Sequence, residues 1–160
     1  MVLSDKTVRT VTFIFSLLIC QLAGVIGSIF TYPAIATWYA TLAKPDFSPP
    51  NWIFAPVWIS LFVLMGVSLH LVIRNKGNKK PCLTIFGIQL SLNALWSFLF
   101  FGLKNPFYAF VEIIVLWIAI LMNILCFRRV DKRAAYLLIP YLAWVTIASI
   151  LNYYIWVLNP

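Results

Sequence analysis

Broad aromatic faces with a few amides set beside them are the chemical resource of this chain. Seven tryptophans stand among its 160 residues. An indole offers a wide apolar surface and one N–H donor, which suits it to flat apolar ligands. Asn93, Trp96 and Ser97 follow i, i+3, i+4 spacing and so share one face of a helix. Trp144, Ala148, Asn152 and Trp156 recur at every fourth residue and trace a second face. Trp52 and Trp58 bracket Pro56 in a third apolar run. Asn93 and Asn152 sit in hydrocarbon-like surroundings, where an unbonded amide is costly. They must therefore meet a ligand or bond across helices, and amide bonds between helices are common at about 0.6 kcal/mol each.

Other reactive groups are sparse. Glu112 is the one acid inside an apolar run, and a proton relay would need further buried acids. It is expected to anchor structure, bonded to protein groups or reaching toward Lys104. His70 is the sole histidine and reads as an interfacial residue, without the partners a haem or metal site needs. Cys20, Cys82 and Cys126 are three isolated thiols without metal-ligand spacing. Small apolar packing is their expected role, rather than a disulfide framework or zinc site.

The elements that must position these residues are membrane helices. Only 10% of the chain is charged, against about 25% in a soluble domain, and 63% is hydrophobic. In a bilayer every backbone polar group must pair internally, so helices or a closed barrel are the options. Barrel strands would alternate in polarity, whereas these runs are apolar on all sides. Five spans of roughly 20 residues or more are predicted, enough for a hydrocarbon core of about 30 Å. They cover residues 11–32, 52–73, 82–103, 107–127 and 134–158 within a single membrane domain, 1–160, and a lid loop over 33–51 joins the first two. No repeat pair and no interrupted helix of the kind found in many secondary transporters is visible.

Charge placement orients the bundle. Lys6, Arg9, Arg74, Lys76, Lys79, Lys80, Arg128, Arg129, Lys132 and Arg133 fall on the N-terminal side, against Lys44 and Lys104 on the other. That bias places the N-terminus in the cytoplasm and the lid and C-terminus outside, with a bacterial plasma membrane as the expected location. The net charge of +8 is therefore a topology signal, suited to anionic headgroups and not to nucleic acid. Lys6 and Arg9 ahead of an apolar run, with Ala34-Ile35-Ala36 behind it, also mimic a signal peptide. The run exceeds the typical 7–15 residues or so of such a segment and is read as a span.

The loop itself is unusual. From Trp38 to Trp52 it holds three prolines and four aromatics. A short helix is expected over 34–42, stopped at Lys44-Pro45, with Ser48-Pro49-Pro50 extended. Trp38 and Phe47 read equally as an interfacial aromatic belt or as parts of a lid. Proline stiffness favours the lid, since a preordered cover loses less entropy on binding. Small-xxx-small pairs at Ala23/Gly27, Gly24/Ser28 and Gly87/Ser91 allow close helix contact within the bundle or in a homodimer.

Taken together, these residues resemble the translocator protein / tryptophan-rich sensory protein family (TspO/MBR). The resemblance runs through Trp38-Tyr39-x-x-Leu42-x-Lys44-Pro45-x-x-x-Pro49-Pro50-x-Trp52, then Pro56-Val57-Trp58, Asn93-x-x-Trp96-Ser97, Phe100-Phe101-Gly102, Pro140-Tyr141-Leu142-x-Trp144 and Leu151-Asn152. It implies an all-α bundle of five transmembrane helices with a pocket under the first loop. It also implies binding of porphyrins such as protoporphyrin IX and of synthetic ligands of the benzodiazepine type. By that likeness Tyr39, Trp52, Trp58, Asn93, Trp96, Trp144 and Ala148 look like pocket residues, and the spacing argument adds Asn152. In some bacterial members Trp58 and Trp144 would correspond to tryptophans needed for light-dependent porphyrin breakdown. Two departures stand out: Phe47 replaces a frequent family Trp, and Val157 replaces the Arg of the animal cholesterol motif, which weakens any sterol expectation.

The expected function is thus a membrane receptor for tetrapyrroles and other flat apolar ligands, acting as sensor, regulator or transporter. Porphyrin enters as ligand or substrate, with no cofactor or metal required. Light-driven porphyrin degradation by Trp58 and Trp144 is one alternative, and a dimeric scaffold acting through partners is the other. Conventional enzymology lacks a hydrolytic triad or nucleotide loop here.

Overall fold

The computed structural model describes residues 4–160. Five helices are long and apolar enough to cross a membrane, as the hydropathy pattern requires. The first, α1 (Asp5–Ile35), runs past the expected boundary and carries Pro33 in its last turn. The lid holds one short helix, α2 (Trp38–Thr41), which begins later than expected because the chain turns at Ala36-Thr37. Then come α3 (Asn51–Arg74), α4 (Lys80–Ser97) and α5 (Pro106–Val130). The last span is α6 (Lys132–Leu137) followed by α7 (Ile139–Leu158).

Two spans are interrupted, contrary to the sequence reading. A π turn, Phe98–Gly102, extends α4, with the Leu103 N–H bonded to the Phe98 carbonyl at 2.8 Å. It adds a residue to the last turn before the chain leaves the helix at Leu103. The last span steps at Leu138, where Pro140 in the first turn of α7 has no N–H to continue the ladder.

The helices form a ring in which α1 packs on α3 and α4, α4 on α5, α5 on α7, and α3 on α6. Small residues on α1 allow close approach: Ser16, Cys20, Ala23 and Gly27 are its buried stripe. Gly66 of α3 lies against backbone, since a Cβ there would be 2.9 Å from the Leu17 Cα. Gly24 and Gly27 face Phe62 and Ser97 inside the same bundle, whereas a Cβ on Gly87 would meet open space on the outer side of α4. The Ser68 hydroxyl donates to the Ala134 carbonyl at 2.8 Å and locks α3 to α6. Contact of α3 with α7 is far slighter, so the ring closes firmly in the half nearest the N-terminus and opens in the half under the lid.

Polar ends sit on the N-terminal side. Asp5 and Arg74 pair at 3.0 Å, and Asn75 donates to the Val130 carbonyl at 2.8 Å. Asp131 caps α6 by accepting from the Arg133 N–H at 2.8 Å, and the Arg133 guanidinium beside it holds its carboxyl below the usual carboxylate range. His70 of α3, one turn before Arg74, is buried against α1, with the Phe13 ring at 5.3 Å and the Thr12 hydroxyl at 3.3 Å.

The expectation that no cysteines pair is also corrected. Cys82 and Cys126 form a disulfide with 5.4 Å between their Cα atoms. Antiparallel packing brings the first turn of α4 beside the last turns of α5, a juxtaposition invisible across 44 residues of sequence. Cys20 is free and buried, the apolar packing role foreseen for it.

Candidate functional site

A cavity of about 410 Å³ fills the open half of the ring, within the roughly 300–1,000 Å³ usual for small-molecule sites. Its walls come from α1, α3, the α4–π segment and α7, and Tyr39 of α2 closes it from the lid side. Trp58, Trp96 and Trp144 all line it. Trp58 stacks near Phe62 with centroids 5.7 Å apart, and its ring meets the Tyr141 ring edge-on at 6.2 Å. Trp96 stacks on Phe100 at 5.1 Å. Trp144 meets Phe54 at 6.0 Å, across the gap between α3 and α7. Ala148 also borders the space, and its short side chain leaves room beside Trp144.

Both asparagines line the cavity while bonded to protein. Asn93 donates its amide to the Tyr141 hydroxyl at 3.0 Å. Asn152 accepts from the Trp96 indole N–H at 3.0 Å and donates to the Pro106 carbonyl at 2.8 Å. It thereby ties α4, α5 and α7 together and fixes the Trp96 ring plane. The Trp144 indole N–H, by contrast, is buried with no acceptor among the described residues. That nitrogen is closed off from the cavity, whereas the Trp58 indole borders the open space and makes no hydrogen bond among the described residues.

Two expected faces are rotated. Trp52 is 73% exposed and does not line the cavity. Six residues before Trp58, it lies about 120° around the helix from it. Trp156 likewise leaves the wall, packing on Phe107 and Phe110 at 5.0 and 5.8 Å, and Ile155 takes its place. Glu112 is buried, but neither carboxyl oxygen has a hydrogen-bonding partner among the described residues, so the expected protein bond is not made.

The lid is fastened to the far end of the chain. The Ala43 N–H donates to the Asn159 side-chain oxygen at 2.9 Å, and the Asn159 amide donates back to the Ala43 carbonyl at 3.0 Å. Phe47 lies edge-on to Tyr154 at 5.3 Å. Tyr39 packs on Phe100 and Phe101 and carries the Lys44 ammonium 4.6 Å above its ring. Burial raises the Tyr39 phenol above its ordinary pKa, so it stays neutral at the roof of the cavity. Trp38 is half-buried, edge-on to Phe100 at 5.5 Å.

A model of the TspO/MBR family matches residues 16–157. The chain belongs to the TspO/MBR family. It is 44% identical to the tryptophan-rich protein TspO of Chlorobaculum tepidum, over 98% of this chain and 99% of the relative. It is 44% identical to the tryptophan-rich protein TspO of Archaeoglobus fulgidus, over 90% and 94%. The translocator protein of Homo sapiens is 35% identical over 82% and 80%. This TspO/MBR chain is therefore an integral membrane protein with a five-helix bundle.

Several wall residues escaped the sequence reading. Phe54 and Phe62 of α3 and Gln21 of α1 border the cavity, as do Phe100 and Phe101 of the π turn. Phe54 and Phe62 lie in an all-round apolar run, where periodicity cannot tell a lipid-facing ring from a cavity-facing one, but Phe100 and Phe101 continue the face of Trp96 and Ser97 at four-residue spacing. Gly24 carried a signal in its small-xxx-small spacing, but the close partner is the Phe62 ring and not a second helix backbone.

Proposed function

We propose that this protein binds tetrapyrroles and similar flat apolar ligands in the cavity beneath the lid, as a sensor, regulator or transporter. The observation that carries this reading is an aromatic space of about 410 Å³ with three indoles in its wall. A planar ring system would stack on Trp58 and Trp96, with Trp144 and Ala148 beside it. The names of the relatives, among them a tryptophan-rich sensory protein of Cereibacter sphaeroides and translocator proteins of mammals, support sensing or passage of small molecules at a membrane. The charge bias supports an N-terminus in the cytoplasm and a lid facing outward.

Titration with protoporphyrin IX, read by tryptophan quenching, tests the assignment. Trp58→Ala with Trp144→Ala is expected to weaken binding at least about tenfold, which is about 1.4 kcal/mol. Ala148→Phe, which fills the space without removing an indole, is expected to do the same. Unchanged affinity in both, with thermal unfolding intact, refutes the site.

Light-driven porphyrin breakdown is a second reading, favoured by Trp58 and Trp144 bordering one space. An absorbing ring there would lie against oxidisable indoles. Illuminating the same titrated samples tests it: bound porphyrin must be modified faster than free porphyrin, or the indoles act only as quenchers.

A further inference from the structure

The disulfide between Cys82 and Cys126 lies away from the cavity, at the end of the bundle that carries most of the cations. By the charge bias that end faces the cytoplasm, where low-molecular-weight thiols keep most cysteines reduced. A bond placed there must withstand continual attack or exchange with it. We propose that Cys82 and Cys126 are a reversible thiol–disulfide exchange site whose partner is a low-molecular-weight thiol attacking at Cys126.

The two sulfurs are not equivalent. Cys126 is half-buried on α5, between the exposed Leu125 and Arg128. Cys82 is 4% exposed and so is closed to an incoming thiol. It occupies the third position of α4, one residue before Leu83, whose N–H is bonded back to the Lys79 carbonyl at 3.0 Å. The Cys82 N–H therefore belongs to the open, positive end of an 18-residue helix. Lys79 is held beside that end by donating to the carbonyls of Ile73 and Asn75, and Lys80 begins the helix. Only the outer sulfur, at Cys126, is open to an incoming thiolate, so attack there leaves Cys82 as the departing sulfur.

Access thus sets the direction of attack. An external thiolate attacks the Cys126 Sγ, the S–S electron pair departs on the Cys82 Sγ, and a mixed disulfide remains at Cys126. A second thiolate attacks the external sulfur of that mixed disulfide and releases Cys126 as a thiolate. Two external thiols are oxidised to one disulfide, the protein bond is reduced, and the two protein thiolates take up protons according to pH. The reverse sequence, with the external disulfide as oxidant, remakes the bond. Because α4 and α5 are already joined at their other end through the π turn, the bond closes that hairpin at both ends.

The test uses the full chain in membranes equilibrated with graded ratios of reduced to oxidised glutathione. Samples are quenched in acid, unfolded, treated with a maleimide and weighed intact. The expected result is a transition from one adduct, at Cys20, to three within the accessible range of ratios. Cys82→Ser should trap a glutathione mixed disulfide at Cys126, whereas Cys126→Ser should leave Cys82 several-fold less modified. One adduct at every ratio makes the bond a static staple, and three at every ratio means that no bond forms. Either result overturns the proposal, as does equal trapping at both cysteines.

Discussion

Asn152 is the residue on which the wall of the cavity turns. It holds the Trp96 N–H and the Pro106 carbonyl at once, so its removal leaves an indole donor without a partner inside the bundle. Asn152→Leu is expected to lower stability by about 1–2 kcal/mol, somewhat more than one interhelical bond is worth in membranes. Trp96→Phe on that background removes the orphaned donor, so the double variant should lose less than the sum of the singles. Reversible unfolding in mixed micelles measures both, and strict additivity would mean that the indole and amide do not act together. The same scale explains why Trp52 and Trp156 were misplaced. A side chain four residues on is about 40° off the starting face, and three such steps amount to about 120°. Trp144, Ala148 and Asn152 stay within the arc that faces the cavity, and Trp156 does not.

At the scale of elements, glycines separate contacts within the bundle from surface open to a second copy. Gly66→Ala drives a methyl against the α1 backbone at Leu17 and Ser16, which cannot step aside as a side-chain tip would. A loss of about 1–3 kcal/mol is expected, as for overpacked cores. Gly87→Ala meets nothing and should alter the stability of the bundle by less than about 0.5 kcal/mol. Thermal unfolding of the two variants side by side checks the contrast. If a homodimer packs on α4, chemical cross-linking in membranes should weaken in Gly87→Leu while the bundle stays intact. The π turn belongs to this scale too. Phe100 and Phe101 follow Trp96 and Ser97 by four residues, the spacing that keeps them on the same face, and both border the cavity from within the π turn.

For the whole molecule, the lid is the longest-range device, since it joins residue 43 to residue 159 through two hydrogen bonds. Asn159→Ala removes both and leaves Tyr39 held by its ring contacts alone. Release of bound porphyrin is expected to quicken several-fold, with a smaller change in its rate of entry, because most affinity changes appear in dissociation. Stopped-flow quenching measures it. An unchanged release rate would mean that the cover does not gate the cavity. The ring of helices carries the same message: α3 meets α6 closely and α7 only slightly, so hollow space and lid occupy one end of the molecule.

Sequence by itself determined the solvent, the number of crossings, the asymmetry of charge and the stiff first loop. Those properties are sums along the chain: apolar length against bilayer thickness, cations counted on each side, prolines within one connector. It also marked one true wall face, at Asn93, Trp96 and Ser97, because three residues span too little helix for phase errors to accumulate. Tertiary structure alone decided the partners of the two asparagines, the outward turn of Trp52, the unpartnered Glu112 and the union of Cys82 with Cys126. Each of these depends on how far a helix is rotated and which neighbour stands beside it. In helices apolar on every side, no pattern of polarity records that rotation; packing sets it.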